Sequence, residues 1–316
     1  MGSRRQMKFC GGSRRKWGYT VKRIRRKNAF EISKGTGFVA PGMVLLLAVT
    51  GYPLLQVVKM SFYDYSKFTS PKFYGLGNYL DIFKDSLFWN AIGNTVLFTI
   101  VSVSLILLLA LLFAALLSAK IHPWLRGVLR TTLLLPWLFS SAVVSALWVI
   151  MLNPFGIINW LLMKLGIITD VIGWFGDERF ALLAVVFTNV WRSFPFAMLM
   201  LLAGMQTVSE DIKEAAIVDG ANSLQVFFYV VLPQIKNVIF TVGTLQFIWD
   251  FRSFDLIYIM TGGGPMNKTE VMSTLIYSAA FKKLDYGNAS ATAVIMLLLM
   301  LAFSAIYIRR SLRKEE

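Results

Sequence analysis

The chain has 316 residues, of which 56% are hydrophobic and only 16% are Asp, Glu, Lys or Arg, whereas an ordinary soluble domain has roughly 25% charged residues. Its formal net charge is +15, and Cys10 is its single cysteine. This composition excludes a disordered chain and a conventional soluble enzyme, and one cysteine cannot build a secreted disulfide scaffold.

Long apolar runs predict helices that cross a membrane, since about 20 apolar residues span the hydrocarbon of a bilayer. Four runs carry no charge at all: 35–58, 92–119, 131–163 and 288–308. Two further runs contain charged residues. One of them contains only Arg192, and the other contains Asp250, Arg252 and Asp255. We therefore predict an all-α integral membrane protein with six transmembrane helices, near 37–58, 92–118, 131–152, 180–205, 237–260 and 288–308.

The basic residues predict the orientation of these spans. Segment 1–36, the loops after the second and fourth spans and the C-terminal tail hold 21 of the 32 basic residues, and the three opposite loops hold 8. Positive charge is enriched on the cytoplasmic side, so both termini are predicted to be cytoplasmic. The domain from 37 to 310 would be the transmembrane part, with 311–316 as a cytoplasmic tail.

The basic segment 1–36 also suits nucleic acid, because its lysines and arginines could neutralise phosphates. Basic residues directly before a first span, however, fix topology and contact anionic lipid headgroups. We therefore expect membrane lipid and no nucleic acid as the partner of this segment. It has no short apolar region of the signal-peptide type, so it is expected to stay on the mature protein.

The loop between the fourth and fifth spans, 206–236, is longer than a helix connection needs to be. Asp211, followed by Glu214, predicts the capped start of a helix that Gly220 ends. Asn222 with Gln225 predicts the start of a second helix.

That second helix would cover 224–231, and Pro233 would bend the chain before the fifth span. The two helices would expose short side chains at the membrane surface, which permits close approach by another protein.

The spacing within this loop resembles the EAA signature of binding-protein-dependent ABC importers, with valine in place of one isoleucine. The matching residues are Glu214, Ala215, Ala216, Gly220, Val230, Leu232 and Pro233. The resemblance implies the six-helix core of a type I importer permease, whose loop fits a cleft on an ATP-hydrolysing subunit. It assigns this coupling role to Glu214, Ala215, Ala216, Asp219, Gly220, Leu232 and Pro233.

Other segments are similar to carbohydrate-importing permeases of the maltose, lactose and glycerol-phosphate type, and together they cover roughly 37–310. These segments are 75–79, 94–95, 191–196, 219–221, 254–258 and 261–265. Asn237 departs from the pattern, because many relatives have proline there.

Polar residues within two spans are the candidates for a substrate path. Charges at bilayer depth are costly unless they face the protein interior, water or a partner charge. Asn189, Arg192 and Ser193 share one helix face, and Asp250 and Ser253 are expected to share another. The resemblance places these five residues where maltose-type permeases contact sugar.

Trp191, Trp249 and Phe251 flank these polar residues and would stack on a sugar ring. Alternatively, Arg192 and Asp250 could form a buried structural pair, which would not prevent them from lining the cavity. Arg252 and Asp255, nearer the outer end, better suit a structural or gating role. The turn at 262–265 is expected to reverse the chain, and a face toward the binding protein is the alternative.

Catalytic machinery is not expected in this chain. A ligand role for His122 or Cys10 is disfavoured, and neither a metal cluster nor a nucleophile and base can be assembled from one histidine and one cysteine. An integral-membrane enzyme therefore remains the weaker alternative.

The sequence thus predicts one permease subunit of an ABC importer that moves a sugar or oligosaccharide across a bacterial or archaeal plasma (inner) membrane. The implied partners are a second homologous permease, two ATP-binding-cassette ATPases and an extracytoplasmic solute-binding protein. ATP and Mg would bind to the ATPases, and this chain would hold no cofactor. Because Arg192 and Arg252 favour anions, an acidic oligosaccharide or glycerol phosphate is the alternative solute.

Overall fold

The structure is a computed structural model that describes residues 39–65, 70–119 and 122–312, with only the backbone described over 306–312. The basic segment at 1–36, Cys10 and the last four residues of the tail lie outside the described residues. The chain divides into two units, Met1–Gln56 and Val57–Glu316.

The described chain is helical apart from one small antiparallel sheet of β1 (Tyr63–Asp64) and β2 (Lys72–Phe73). The first long helix is α1 (Val39–Met60), which includes a π-helical stretch, Leu47–Gly51. After the sheet come α2 (Gly77–Lys84), α3 (Ser86–Ser118), α4 (Pro123–Leu138), α5 (Ser141–Met151), α6 (Ile157–Lys164) and α7 (Glu178–Gln206). The later helices are α8 (Glu210–Val218), α9 (Ser223–Gln234), α10 (Lys236–Phe251), α11 (Asp255–Met260), α12 (Met272–Tyr277) and α13 (Tyr286–Leu312).

Four helices are long and apolar enough to cross a membrane, namely α1, α3, α7 and the part of α13 from Tyr286 to Ala305. Two bent pairs, α4 with α5 and α9 with α10, raise the number to six if each pair counts as one span. The fold is therefore that of an all-helical membrane protein with four to six candidate spans.

Helix α7 is the centre of the second unit. In its most apolar stretch 67% of the residues are buried, compared with 28% in α3 and in α13. It packs along α3 and also contacts α4, α5, α10 and α11. Polar groups on α7 consequently face other helices, which is where a membrane protein can hold them.

Side-chain caps set where the long helices begin. Asp85 accepts a hydrogen bond from the Leu87 amide at 2.8 Å, so α3 starts six residues before the predicted 92. Asp177 caps α7 in the same way through the Arg179 amide at 2.9 Å. An N-cap carboxylate satisfies backbone donors that have no partner within the helix.

The run predicted as one span over 131–152 is broken in the structure. Phe139 and Ser140 have extended backbone angles, and the two helices on either side meet at 95°. Ser140 accepts a hydrogen bond from the Val143 amide at 3.3 Å and so caps a new helix. Apolar composition alone concealed this break.

The prediction of one helix over 237–260 is also corrected. Helix α10 ends at Phe251, and α11 begins only at Asp255, because Arg252 and Phe254 leave the helical conformation. A separate bend of 68° lies earlier, at Ile235 between α9 and α10, directly after Pro233.

The loop at 206–236 forms the two predicted helices with one correction. The N-cap of α8 is Ser209, whose extended backbone precedes the helix, and Asp211 lies in the first turn rather than at the cap. Gly220, at φ +92°, follows the helix end. Asn222 and Gln225 form the predicted reciprocal capping box.

A buried asparagine on α2 ties this helix to the end of α1 and to the sheet. The Asn78 side chain donates hydrogen bonds to the carbonyls of Ser61 and Tyr63, both at 2.9 Å. Gly287 lies against this junction, since a Cβ there would stand 2.6 Å from the Tyr63 carbonyl oxygen and 3.1 Å from both polar atoms of the Asn78 side chain.

We predict that Gly287→Ala destabilises the protein by about 1–3 kcal/mol, the usual cost of overpacking a filled site. Gly93→Ala is the matched control, because no atom lies within 4 Å of a Cβ at this position in α3 and alanine is the better helix former by roughly 0.5–1 kcal/mol. Thermal unfolding of the purified variants would measure both changes. Equal melting temperatures for the two variants would contradict the proposed close contact.

Candidate functional site

A cavity of ≈ 540 Å³ lies where α7, α10 and the two helix breaks meet. All five residues predicted for the substrate path contribute to its wall: Asn189, Arg192, Ser193, Asp250 and Ser253. The structure also places Trp137, Ser141, Gln246, Trp249, Arg252, Phe254, Asp255 and Leu256 in the lining. Side chains from four separate segments of the chain thus meet at one site.

The inner wall of the cavity holds polar atoms that the protein leaves without partners. Asn189, Ser193 and Asp250 are buried. Nδ2 of Asn189, Nε of Arg192 and Oδ2 of Asp250 have no partner with hydrogen-bond geometry in the described structure, although the Asn189 side chain lies beside the Asp250 carboxylate and interacts with it. Each such atom costs free energy when it is buried, so this wall is suited to binding a polar molecule.

Asp250 and Arg192 do not form the structural ion pair considered above. None of the ion pairs within the described residues joins them at or below 4.0 Å. The Asp250 carboxylate instead accepts a hydrogen bond through Oδ1 from Nε2 of Gln246 at 3.2 Å. Arg192 still lies close enough to Asp250 and Asp255 for their charges to interact.

Ser253 reaches the cavity by a different route from the one predicted. It does not share a helix face with Asp250, because α10 ends at Phe251 and Ser253 lies in the break before α11. Its carbonyl accepts a hydrogen bond from the Ser273 hydroxyl at 2.6 Å. The break therefore places Ser253 in the cavity lining, while its carbonyl points to Ser273 on α12.

A hydrogen bond joins the two broken segments at the wall of the cavity. The Ser141 hydroxyl donates to Oδ2 of Asp255 at 3.0 Å. These residues stand at the first positions of α5 and α11, which pack on each other. Sequence reasoning missed Ser141 because the break before it was hidden in an apolar run.

The aromatic wall was predicted only in part. Trp249 lines the cavity as expected, together with Trp137, and both contact Phe196, at ring-centroid distances of 5.2 and 5.1 Å. Trp191 packs instead against Trp148, and Phe251 is buried beside Phe247. The sequence signal that could have identified Trp137 is Pro136 directly before it, because proline within a helix marks a bend or a break.

The residues assigned to coupling lie on a separate surface. Glu214, Ala215, Asp219, Gly220 and Pro233 are exposed, whereas Ala216 and Leu232 are half-buried.

Helix α9 is held to the core by Val226 and Val231, which are buried. Beside the coupling residues, Val218 and Tyr229 are exposed by 86% and 80%. The coupling residues thus lie beside buried valines that anchor α9 and beside two exposed side chains that offer apolar area.

Metal chemistry has no support in the described part of the chain, where no group of three or more His, Cys, Asp or Glu could hold an ion. His122 caps α4, and its Nδ1 accepts a hydrogen bond from the Trp124 amide at 3.4 Å. His122 therefore has a structural partner at the start of α4.

We predict that Asp250→Ala destabilises the protein by about 1–3 kcal/mol, because the buried Gln246 amide then loses its acceptor. Asp250→Asn keeps an oxygen at the same place and should cost less. Melting temperatures of the detergent-purified variants test this difference, and adding Gln246→Leu to Asp250→Ala should recover part of the loss. Equal losses for alanine and asparagine would refute the proposed hydrogen bond.

Comparisons with known proteins agree with this architecture. Residues 106–314 match the family described as "Binding-protein-dependent transport system inner membrane component". The chain is 34% identical over 281 residues to the trehalose/maltose transport system permease protein MalF of Thermococcus litoralis, an alignment that covers 88% of this chain and 94% of that protein. It is 33% identical over 293 residues to the lactose transport system permease protein LacF of Rhizobium radiobacter, covering 90% and 95%.

A solved structure shares the fold. The chain superposes with a TM-score of 0.78 on a chain of a bacterial ABC transporter involved in the import of the acidic polysaccharide alginate, at 21% identity, covering 93% of this chain and 99% of that one. The family match spans more than half of the sequence. The chain therefore belongs to the binding-protein-dependent transport system inner membrane components, as a non-catalytic, multi-pass permease subunit of the carbohydrate-uptake type of ABC importer.

Proposed function

We propose that this permease moves a sugar or oligosaccharide into the cytoplasm through the cavity lined by Asn189, Arg192, Ser193, Asp250 and Ser253. The observation that carries the proposal is the convergence of these residues on one wall with three unpartnered polar atoms. Sugar hydroxyls donate and accept hydrogen bonds, so they can satisfy Nδ2 of Asn189 and Oδ2 of Asp250 together.

The aromatic rings support a carbohydrate over a small ion. Trp137 and Trp249 line the same cavity as the polar residues and are partly exposed. Sugars present apolar C–H faces between their hydroxyl groups, and large flat rings provide contact area for such faces. The relatives for trehalose, maltose and lactose transport agree with this class of substrate.

An anionic solute is the second candidate, and Arg192 is the observation that favours it. Its guanidinium lies in the lining without an ion pair within 4.0 Å in the described structure, and arginine binds carboxylates and phosphates in two-pronged geometry. The lining also holds Arg252, Asp250 and Asp255, so its two positive charges face two negative ones. This balance favours a neutral sugar.

Coupling to ATP hydrolysis is assigned to the surface of α8 and α9. We propose that Glu214, Ala215, Ala216, Asp219, Gly220, Leu232 and Pro233 form the part that an ATPase subunit receives. The exposed Val218 and Tyr229 beside them would give that partner apolar contact area.

Helix α10 connects this surface to the cavity. Val226 and Val231 join α9 to the core around α7, and α10 continues from the bend at Ile235 to Asp250. A push on α8 and α9 would therefore tilt α10 and move one wall of the cavity. In this proposal both termini and loop 206–236 are cytoplasmic.

The complete importer would contain this chain, a second homologous permease, two ATP-binding-cassette ATPases and an extracytoplasmic solute-binding protein. ATP and Mg would bind to the ATPases. The solute-binding protein would deliver the sugar to the cavity when the transporter opens outward.

The cavity is tested by sugar uptake in proteoliposomes that contain the whole importer. Asn189→Ala or Ser193→Ala should lower transport efficiency about tenfold, the equivalent of one lost hydrogen bond of about 1.4 kcal/mol, while basal ATP hydrolysis persists. Thr188→Ala is the matched control, because its buried hydroxyl already donates to the Ala184 carbonyl at 2.9 Å and lies outside the cavity lining. Wild-type uptake by both cavity variants would overturn the assignment.

The two candidate substrates are separated by Arg192→Gln in the same assay. Loss of uptake confined to acidic sugars or to glycerol phosphate would support the anionic candidate. Comparable effects on neutral sugars would support the neutral one.

Coupling is tested with Glu214→Lys and Gly220→Leu, which should abolish sugar-stimulated ATP hydrolysis while the protein remains in the membrane. Gly166→Leu is the control, since Gly166 has φ +70° and, like Gly220, has no atom within 4 Å of a Cβ. Both leucines carry the strain of a left-handed backbone, about 1–2 kcal/mol, but only the change at Gly220 alters the coupling surface. Normal stimulation in the Gly220 and Glu214 variants would contradict the coupling assignment.

A further inference from the structure

The segment between α5 and α7 carries one apolar helix face that no part of the described chain covers. Ile157, Trp160, Leu161 and Lys164 lie at helical spacings of three, four and seven on α6 and are all exposed. Trp160 alone is exposed by 57%. Residues at these spacings form a single stripe along a helix.

The opposite face of α6 fixes the direction of this stripe. Asn159 is 1% exposed, and its Nδ2 donates to the carbonyls of Pro154 at 3.0 Å and Ile172 at 2.9 Å. Its Oδ1 accepts a hydrogen bond from Nε1 of Trp174 at 3.1 Å. One buried side chain thus ties both ends of the segment to α6, so the apolar stripe cannot turn inward without breaking these bonds.

The stripe continues an apolar surface of α5, the second half of one of the two bent candidate spans. On α5, Val143, Leu147 and Ile150 form an exposed apolar row at spacings of four and seven. The chain then leaves α5 and presents Phe155, which is exposed by 96%. The apolar surface thus continues from α5 toward α6. All of it can contact lipid only if α6 lies on the surface of the bilayer.

The composition of the stripe matches the boundary between headgroups and acyl chains. Tryptophan is enriched there because its ring is apolar and its N–H is polar. Nζ of Lys164 lies 4.8 Å from the centroid of the Trp160 ring. A lysine at the end of an apolar face places its charge among the headgroups while its methylenes stay in apolar surroundings.

We propose that α6 is an interfacial helix that lies in the plane of the membrane, with the lipid bilayer as the partner of Ile157, Trp160 and Leu161. Helices with one apolar face and tryptophan or lysine at its border bind membranes in this way. The helix holds the end of α5 at the membrane surface. Because α5 packs on α11 beside the cavity, this anchor fixes one cavity wall relative to the bilayer.

The test uses the assembled importer in lipid nanodiscs, with a single cysteine at position 161 in a Cys10→Ala chain and an environment-sensitive NBD label. Matched labels at 143, on the exposed row of α5, and at 169, an exposed threonine of the same loop, give the lipid and water references. Phosphatidylcholine with a nitroxide near the top of its acyl chain quenches from lipid, and iodide quenches from water. A label at 157 repeats the measurement should the 161 variant fail to assemble.

The proposal expects the label at 161 to show blue-shifted emission and lipid quenching like the label at 143, with little quenching by iodide. Adding Trp160→Gln should reverse part of the blue shift at 161 and leave the label at 143 unchanged. Iodide quenching at 161 equal to that at 169 would overturn the proposal in favour of a solvated face. Protection from both quenchers in the importer, with iodide quenching restored in the isolated chain, would overturn it in favour of a protein partner.

Discussion

The high cost of an unsatisfied polar group in hydrocarbon organises this fold. A continuous helix pairs its own backbone groups, so it can face lipid, whereas a broken helix must place its free amides and carbonyls against protein or water. Two breaks, at Phe139–Ser140 and at Arg252–Phe254, open on the same cavity. The cavity is therefore the place where the membrane part of the chain can tolerate both irregular backbone and charged side chains.

The central position of α7 follows from the same constraint. Asn189, Arg192 and Ser193 can lie at bilayer depth because the helix that carries them is surrounded by α3, α4, α5 and α10. Arg192 on α7 has no ion pair within 4.0 Å in the described structure. Its charge agrees with a cavity that admits water and polar solutes, because water screens the charge.

The sequence predicted the existence of the long helices well, because hydrophobic length is a direct physical requirement for crossing a bilayer. It predicted the five polar residues of the cavity through their cost in lipid and through the family resemblance. It failed at the helix breaks, because Ser140 and Ser253 are uncharged and sit within or beside apolar runs. The walls formed by Trp137, Ser141 and Phe254 depend on those breaks and were missed with them. Trp191 and Phe251 were misassigned because neighbours in sequence point to different sides of a helix.

The two breaks also bear on how the cavity wall is connected to the proposed coupling surface. The Ser141–Asp255 hydrogen bond and the packing of α5 on α11 join the segments beyond the breaks into one body. The segments before the breaks, α4 and α10, pack on α7, as α5 and α11 also do, and α10 continues into α9 across the bend at Ile235. In the proposed coupling, movement of α9 would pass through the bend at Ile235 and then along α10 to Asp250. A sugar in the cavity would touch both α10 and the pair of α5 and α11. Its binding would therefore have a physical means of affecting the position of α9.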